Sequence, residues 1–450
     1  MTISGRTWFY LVLTLLFAIV TFQYVKKVLK PREDGHTQSA ILRWAPEFEE
    51  MQEGKNIHAE HNYPNPPILP QLLTPIFKII QFDPVAGALT WFFLKLGMAI
   101  ICIIWSFRLV TADGQPMPEW AKAIAVAAAI NTIIGDLKHG NVNIFILFLV
   151  MSVLYSYSRG KDYLSGLMLA LAIASKVTPA LFLVYFAWKR SWQVLIGAAV
   201  GLVLFFLLVP TAIFTLQKGP ISEGWQANWD ALTAWKRGMV DPYLIRGEVT
   251  SERENQSLPG VITRLFSHEP SFSKWIDNVD TPQAYHNVAE LDRMEVKRIV
   301  TGCQAAFVLL MVVLCWVPMR KWSSPPMEQR RGWRAAAEYS FILIGMLLFS
   351  ERTWKHHCVI LMLPFAILSY GAFAPGFSRR VRLIARISLF TAMAATLLPT
   401  VAEVFKDWTL ANVGTVAPDA REHLGLNPNS PRELAQVYGA YLWGLFTMLI

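Results

Sequence analysis

Residues 162–190 read DYLSGLMLALAIASKVTPALFLVYFAWKR. Arg159 and Lys161 precede this stretch, and Lys189 and Arg190 close it. The apolar part is long enough to cross a ~30 Å hydrocarbon core, which takes about 20 helical residues. A single straight crossing would put the two basic ends on opposite sides of a membrane. Basic residues collect on the cytoplasmic side, so the segment is expected to break. The expected place is Ser175-Lys176-Val177-Thr178-Pro179, because proline removes a helical hydrogen bond there. Broken helices are tolerated in a bilayer where they are buried in protein or line a cavity. The stretch therefore reads as a re-entrant pair with both ends inside and Lys176 at its outer apex.

The rest of the chain has the same character. Of 450 residues, 54% are hydrophobic and 16% charged, against roughly one quarter charged in a soluble globular protein. Apolar runs at 192–214 and 299–317 lack the polar face that a soluble helix needs. Spans are expected near 7–27, 86–109, 119–135, 141–158, 162–188, 191–214, 298–318, 335–350, 356–374, 381–402 and 433–450. With 162–188 counted as a pair, there are about twelve membrane segments. The first is too long for a signal-peptide core and is expected to remain as an anchor. No internal repeat or low-complexity linker is visible. The expectation is an all-α polytopic membrane protein, one domain over 1–450, in an inner or plasma membrane. The net charge of +9 does not point to nucleic acid, because Lys and Arg sit at the ends of apolar runs. Cys102, Cys303, Cys315 and Cys358 form no Cys-x-x-Cys pair and read as small buried apolar residues.

Charge parity sets the sides. The clusters at 159–161, 189–190, 320–334 and 379–386 fall inside. The segments 28–85, 135–141, the Lys176 turn, 215–297, 350–356 and 403–432 fall outside, facing the periplasm or exterior. The two long outer loops are 28–85, with an amphipathic stretch near 37–53, and 215–297. Lys26, Lys27, Lys30 and Arg32 conflict with this orientation and are outvoted by the later clusters.

Five polar motifs share the outer side. The first is Arg32-Glu33-Asp34-Gly35, with Gly54-Lys55-Asn56-Ile57-His58 and Tyr63-Pro64-Asn65-Pro66-Pro67 after it. By residue type it reads as a solvated juxtamembrane segment, or as a carboxylate held at the surface as a general base. The second, running from Gly135 to Asn143 with Asp136, Lys138, His139 and Asn141, carries more polarity than a helix cap needs. Lys176 is the third: a lysine in an apolar stretch suggests a phosphate or carboxylate ligand, or snorkelling to the interface. The fourth, Asn255-Gln256-Ser257 followed by Arg264, is a weak glycosylation triplet or ordinary loop polarity. The fifth is Ser350-Glu351-Arg352-Thr353-Trp354-Lys355-His356-His357. Adjacent histidines point about 100° apart on a helix and are poor joint ligands for one metal, so anion binding is the better reading. Basic groups from separate loops, gathered on one face, suit a lipid-phosphate substrate.

At these residues the chain resembles glycosyltransferase family 87, over roughly residues 30–370. Asp34, then 54–58 and 63–67, look like that family's Asp, Gly-x-x-Ile-Tyr and Tyr-x-Pro-Pro elements, with His58 in place of the usual Tyr. Residues 140–143 look like its Gly-Gln-x-Asn, with Asn141 replacing Gln. Residues 176–179 look like its Lys-x-x-Pro, 255–257 with Arg264 like its Asn-Gln-Ser and Arg, and 354–357 like its Trp-x-His-His. The resemblance implies a GT-C membrane fold and sugar transfer from a polyprenyl-phosphate donor to a glycolipid or glycan at the outer face. Mannose and arabinofuranose both fit. It also implies Asp34 as general base in a single inverting displacement, with Asp136 as the rival. Lys176, Arg264, Arg352, Lys355, His356 and His357 would hold the donor phosphate. Tyr63, Asp136, Asn141, Asn143, Asn255 and Gln256 would line the substrate site. No organic cofactor and no convincing metal-ligand set is implied, although a divalent ion stays open. The other class of reading is a transporter or flippase of a lipid-linked or anionic solute. It would need inverted repeats and a midplane site. A structural scaffold would leave the outer polar cluster without a role.

Overall fold

A computed structural model describes residues 4–29, 39–61, 63–112, 114, 116–276, 279–316, 324–412 and 431–449. It is a helical bundle around one continuous buried apolar cluster. Among the described residues, seven helices are long and apolar enough to cross a membrane. In chain order the elements begin with α1 (Gly5–Leu29), followed by short juxtamembrane helices α2 (Ala40–Arg43), α3 (Ala45–Gln52) and α4 (Ile57–Glu60). Next come α5 (Ile68–Phe82), α6 (Pro84–Val110), α7 (Glu119–His139), α8 (Asn143–Ser158), α9 (Asp162–Ser175) and α10 (Leu181–Trp188). After them come α11 (Trp192–Leu202), α12 (Val209–Lys218), α13 (Ile221–Trp235), α14 (Asp241–Leu244) and α15 (Leu258–Phe266). The chain closes with α16 (Arg293–Leu314), α17 (Gly332–Leu348), α18 (Met362–Phe373), α19 (Arg379–Asn412), α20 (Pro431–Val437) and α21 (Ala440–Met448).

The stretch 162–190 is interrupted where proline chemistry demands it. The α9 helix stops as Lys176 turns extended at φ −161°, and one 3-10 turn, Thr178–Ala180, leads into α10. Both ends then meet. Tyr157 Oη and Ser191 Oγ are hydrogen-bonded at 2.7 Å. Gly166 lies against the backbone of Val194 to Ala198, and Gly201 lies against Ala170 and Leu167. So α9 and α11 run side by side in the same direction, and α10, the return arm, packs against α11 and α17. The close approach needs glycine, because a Cβ at 166 or 197 would strike the facing backbone.

Three expectations are corrected. The loop 28–85 contains α5, a 15-residue helix whose apolar face is buried and which meets α6 at Gly87 against Ile80. The loop 215–297 carries α13, α14 and α15, the end of α12, the start of α16 and an antiparallel hairpin, β1 (Phe272–Ile276) and β2 (Val279–Ala284), so the fold is not purely helical. The segment 433–450 is not one span: Gly439, at φ +77°, divides α20 from α21. The run 192–214 is continuous but widens to π-helix over Val203–Leu208 just before Pro210. Proline cannot donate to the carbonyl four residues back, at Phe206. Asn228 of α13 donates to that carbonyl instead, at 2.9 Å. The four cysteines are free thiols, three of them buried.

Candidate active site

The site is built around the turn between α7 and α8. Gly140, at φ +77°, ends α7, and Ser39 packs so closely on it that a Cβ would clash. Trp91 Nε1 donates to the Gly140 carbonyl at 3.0 Å. One turn earlier, Asp136 is fully buried. Its Oδ2 takes the Lys95 ammonium at 2.8 Å and the Ile144 N–H at 3.2 Å, and its Oδ1 takes the Asn143 amide at 3.0 Å. A carboxylate here satisfies one of the orphan N–H groups that open α8 and faces the positive end of its dipole. Lys95, also fully buried, needs the same carboxylate.

Asn143 passes this order onward. Its Nδ2 is held by Asp136, so its Oδ1 faces Lys176 and accepts from Nζ at 2.9 Å. Lys176 therefore meets a neutral amide, and its charge is not cancelled by direct contact. Asn143, Lys176, Ser350, Thr353 and His357 line one cleft between α8, the α9–α10 break and the end of α17.

The opposite wall is the loop 350–357. Arg352 lies over the Trp354 ring at 5.1 Å and donates to Thr250 Oγ1 at 2.5 Å. Trp354 stacks on His357 at 6.2 Å. His356 stacks on His139 at 4.6 Å, with ring planes 10° apart, and bonds Asn141 Nδ2 at 3.3 Å. Arg43 from the juxtamembrane helix reaches His139 Nε2 at 3.5 Å. The Lys355 side chain runs past Gly135. Imidazoles and cations thus form a row from Arg43 to Arg352, with Lys176 beside it.

Asn255, Gln256 and Arg264 frame this loop without facing the cleft. Asn255 Oδ1 accepts from Thr353 N at 2.9 Å, and its Nδ2 donates to the carbonyls of Thr250 and Glu351 at 2.9 Å each. Being fully buried, Asn255 cannot serve as a glycosylation acceptor in the folded chain. Gln256 donates to the carbonyls of Arg253 and Gln436, and the Thr353 carbonyl accepts from its backbone N–H. Arg264 is buried and gives its guanidinium to the carbonyls of Ser251, Glu252, Asn255, Gln436 and Val437. A guanidinium so committed fastens the segment 251–255 to α20 and leaves little for a phosphate.

Tyr63 is buried edge-on against Trp44, Phe48 and His58, and no hydrogen bond or ring contact joins it to the cluster. His58, in the same pocket, bonds the Asn65 carbonyl at 3.0 Å, and burial pulls its pKa down to about 4. Asp34 lies outside the described residues. Glu50, Glu60 and His61 stand close enough to share an ion, but Glu50 and His61 already bond each other at 2.6 Å. That bond lowers the Glu50 pKa and raises that of His61. Three members of the cluster were missed as site residues: Lys95, His139 and Arg43. Lys95 was accessible to the rule that singled out Lys176, being a lysine inside an apolar span.

These features define a multi-pass helical membrane protein with Lys176 in a largely apolar cleft and a row of cations and imidazoles beside it. The model of glycosyltransferase family 87 matches residues 63–351, and the chain belongs to that family. Asp34, His58 and 354–357 lie outside the matched range. Two curated relatives carry the name polyprenol-phosphate-mannose-dependent alpha-(1-2)-phosphatidylinositol mannoside mannosyltransferase. The one from Mycobacterium tuberculosis is 25% identical over 335 residues, 72% of this chain and 65% of the relative. The one from Mycolicibacterium smegmatis is 26% identical over 358 residues, 77% of this chain and 64% of the relative. The chain thus spans just under two thirds of the length of these relatives. No solved structure matches it significantly.

Proposed function

We propose that the chain is a membrane glycosyltransferase that moves mannose from a polyprenyl-phosphate donor to a glycolipid or glycan acceptor at the outer face of the membrane. The observation that carries this is the pairing of Lys176 with the neutral Asn143 amide, in a cleft shared with His357 and walled by the Arg352 loop. A cleft whose lysine meets an amide and not a carboxylate, beside a row of cations and imidazoles, suits a leaving phosphate. The names of the two relatives support the donor and the sugar.

In this reading the acceptor hydroxyl oxygen attacks the anomeric carbon and forms the new C–O bond, with inversion. The bond from that carbon to the phosphate oxygen breaks, and its electron pair leaves with polyprenyl phosphate. The hydroxyl proton goes to Asp34. Asp136 is the weaker base, because both its oxygens are occupied and it is buried against Lys95. Lys176, His356, His357, Arg352 and Lys355 form the donor-phosphate wall, while Arg264, Asn255 and Gln256 hold that wall in shape. The α9–α10 pair is a re-entrant hairpin in a GT-C-like bundle. Its arms of 14 and 8 residues are each shorter than the ~20 needed to span.

The test is an assay of purified protein with polyprenyl-phosphate sugars, mannose among them, and a phosphatidylinositol mannoside acceptor. Mannosyl transfer with inverted anomeric configuration is expected. Asp34→Asn abolishes transfer and leaves folding and donor binding intact; full activity in that variant sinks the base assignment. Substrate-dependent transport in liposomes, with no transfer from any donor, sinks the enzyme reading.

A further inference from the structure

The hydrogen bonds of Asn141 settle where the proton sits on the neighbouring His356 ring. The backbone N–H of Val142 can only donate, and it points at Asn141 Oδ1 at 2.7 Å. The other end of that amide is therefore its NH2, which can only donate. It lies 3.3 Å from His356 Nε2. Nε2 must accept, so it carries no proton, and the neutral ring bears its proton on Nδ1. A second proton, on Nε2, would face the amide N–H head-on. Among the described residues no hydrogen bond to His356 Nδ1 is present.

The ring cannot easily turn away. It is sandwiched at 4.6 Å against His139 and meets His357 and Trp354 edge-on at 4.7 and 5.5 Å. The same logic repeats at His139. Arg43 only donates, so its approach to His139 Nε2 at 3.5 Å leaves the proton on Nδ1. Two stacked imidazoles therefore share one tautomer, each set by a donor from outside the ring.

We propose that Asn141 is a positioning residue that holds His356 as the neutral Nδ1–H tautomer, so that Nδ1–H is a directed hydrogen-bond donor to the phosphate of the sugar donor. The identity of that ligand rests on the glycosyltransferase reading; the tautomer does not. His356 then binds the phosphate by direction and leaves the charge to Lys176. A phosphate oxygen accepts from Nδ1–H in line, whereas the opposite tautomer would turn a lone pair toward the anion.

Nitrogen NMR of histidine-labelled protein in nanodiscs tests this. The chain has nine histidines, and the spectrum of His356→Gln identifies the His356 signals. The wild type is expected to show a protonated Nδ1 and a bare Nε2. Asn141→Asp replaces the amide donor with an acceptor of the same shape and should move a proton onto Nε2. With polyprenyl-phosphate mannose and a phosphatidylinositol mannoside, that variant should lose about 10–100-fold in kcat, the usual cost of a lost orienting partner, at unchanged acceptor KM. A wild-type Nε2–H signal overturns the proposal. So does an Asn141→Asp variant that loses activity with the His356 tautomer unchanged, because Asn141 would then be merely structural. The wild-type spectrum stands by itself if the variant fails to fold. The expected tautomer without transfer from this donor would sink the donor reading and uphold the tautomer.

Discussion

At the end of the bundle that carries Asp162, buried charges are matched one to one. Arg330 Nη1 sits 2.6 Å from Asp162, and Lys189 sits 2.8 Å from Glu338, which also accepts from Tyr185. At the end that carries Lys176 the match is incomplete by design of the contacts. Among the described residues, the carboxylate beside the Lys176–Asn143 pair, Asp136, is taken by Lys95, and Lys176 is given an amide oxygen. Both ends place basic side chains and carboxylates inside the protein. They differ in the sign left over. The first end joins α9, α10 and α17 into a fixed corner, while the second leaves the Lys176 ammonium against a neutral amide. Paired charges in a protein interior are a frame, and an unmatched one is a binding site.

The largest effect should come from breaking the pair that shields the site. Asp136→Asn leaves Lys95 buried without its carboxylate, which costs about 3–5 kcal/mol, seen as a lowered unfolding midpoint in detergent. Adding Lys95→Met to that variant should restore most of the loss, since removing both charges is far cheaper than removing one. If Asp136→Asn alone is as stable as wild type, Asp136 is not the frame described here. Lys176→Met should behave in the opposite way. Stability is nearly kept, and kcat/KM for mannosyl transfer falls about 10²–10³-fold, the cost of removing one preorganised charge stabiliser. Lys189→Met at the matched end should lower the unfolding midpoint and leave the activity of the folded fraction unchanged. Equal effects of the two lysine changes on activity would erase the distinction between the ends.

Much of this contrast was legible in residues 162–190. The basic residues at both ends, with Pro179 between them, marked the interruption and put Lys176 at its tip, because charge and proline act locally. Asn255, Gln256 and Arg264 were read as ligands of substrate or phosphate, and they hold carbonyls of 251–255, 351 and 436–437 instead. A sequence displays donors and acceptors but not which are already spent. The α5 helix stayed hidden because Pro70 and Pro75 punctuate it, although its apolar face is buried. Lys95 was visible by the Lys176 rule, and its partner was not, because the two are 41 positions apart.

A third way of settling a buried polar group occurs in the first long loop. Among the described residues, the His58 ring has no charged partner, only the Asn65 carbonyl, and burial holds its pKa near 4 against 6.5 when exposed. The folded state then resists protonation that the unfolded chain accepts. The neutral ring's contribution is complete above pH 6.5 and is lost as pH falls toward 4. The full loss is about 3 kcal/mol, from 1.36 kcal/mol for each unit of separation. His58→Tyr carries the residue type usual in the family and has no proton to gain in this range. Its unfolding midpoint should fall less steeply than that of wild type between pH 6.5 and 4. Parallel pH curves for the two proteins would remove His58 from the account.

The smallest expected effect concerns the second proline break. At Pro179 the interruption opens onto the cleft, and Lys176 occupies its tip. At Pro210 it is closed: Asn228 donates to Phe206 O at 2.9 Å and Thr211 Oγ1 at 3.2 Å, from a side chain that is itself buried. A carbonyl left unpaired in an apolar setting costs about 1–3 kcal/mol. Asn228→Leu keeps the volume and removes the donor, so the unfolding midpoint should drop by a correspondingly small amount with transfer activity retained. The direction of the change separates two roles for a broken helix. If Asn228→Leu cost activity and not stability, the Pro210 break would be part of the site, and the repaired and open interruptions would be the same device.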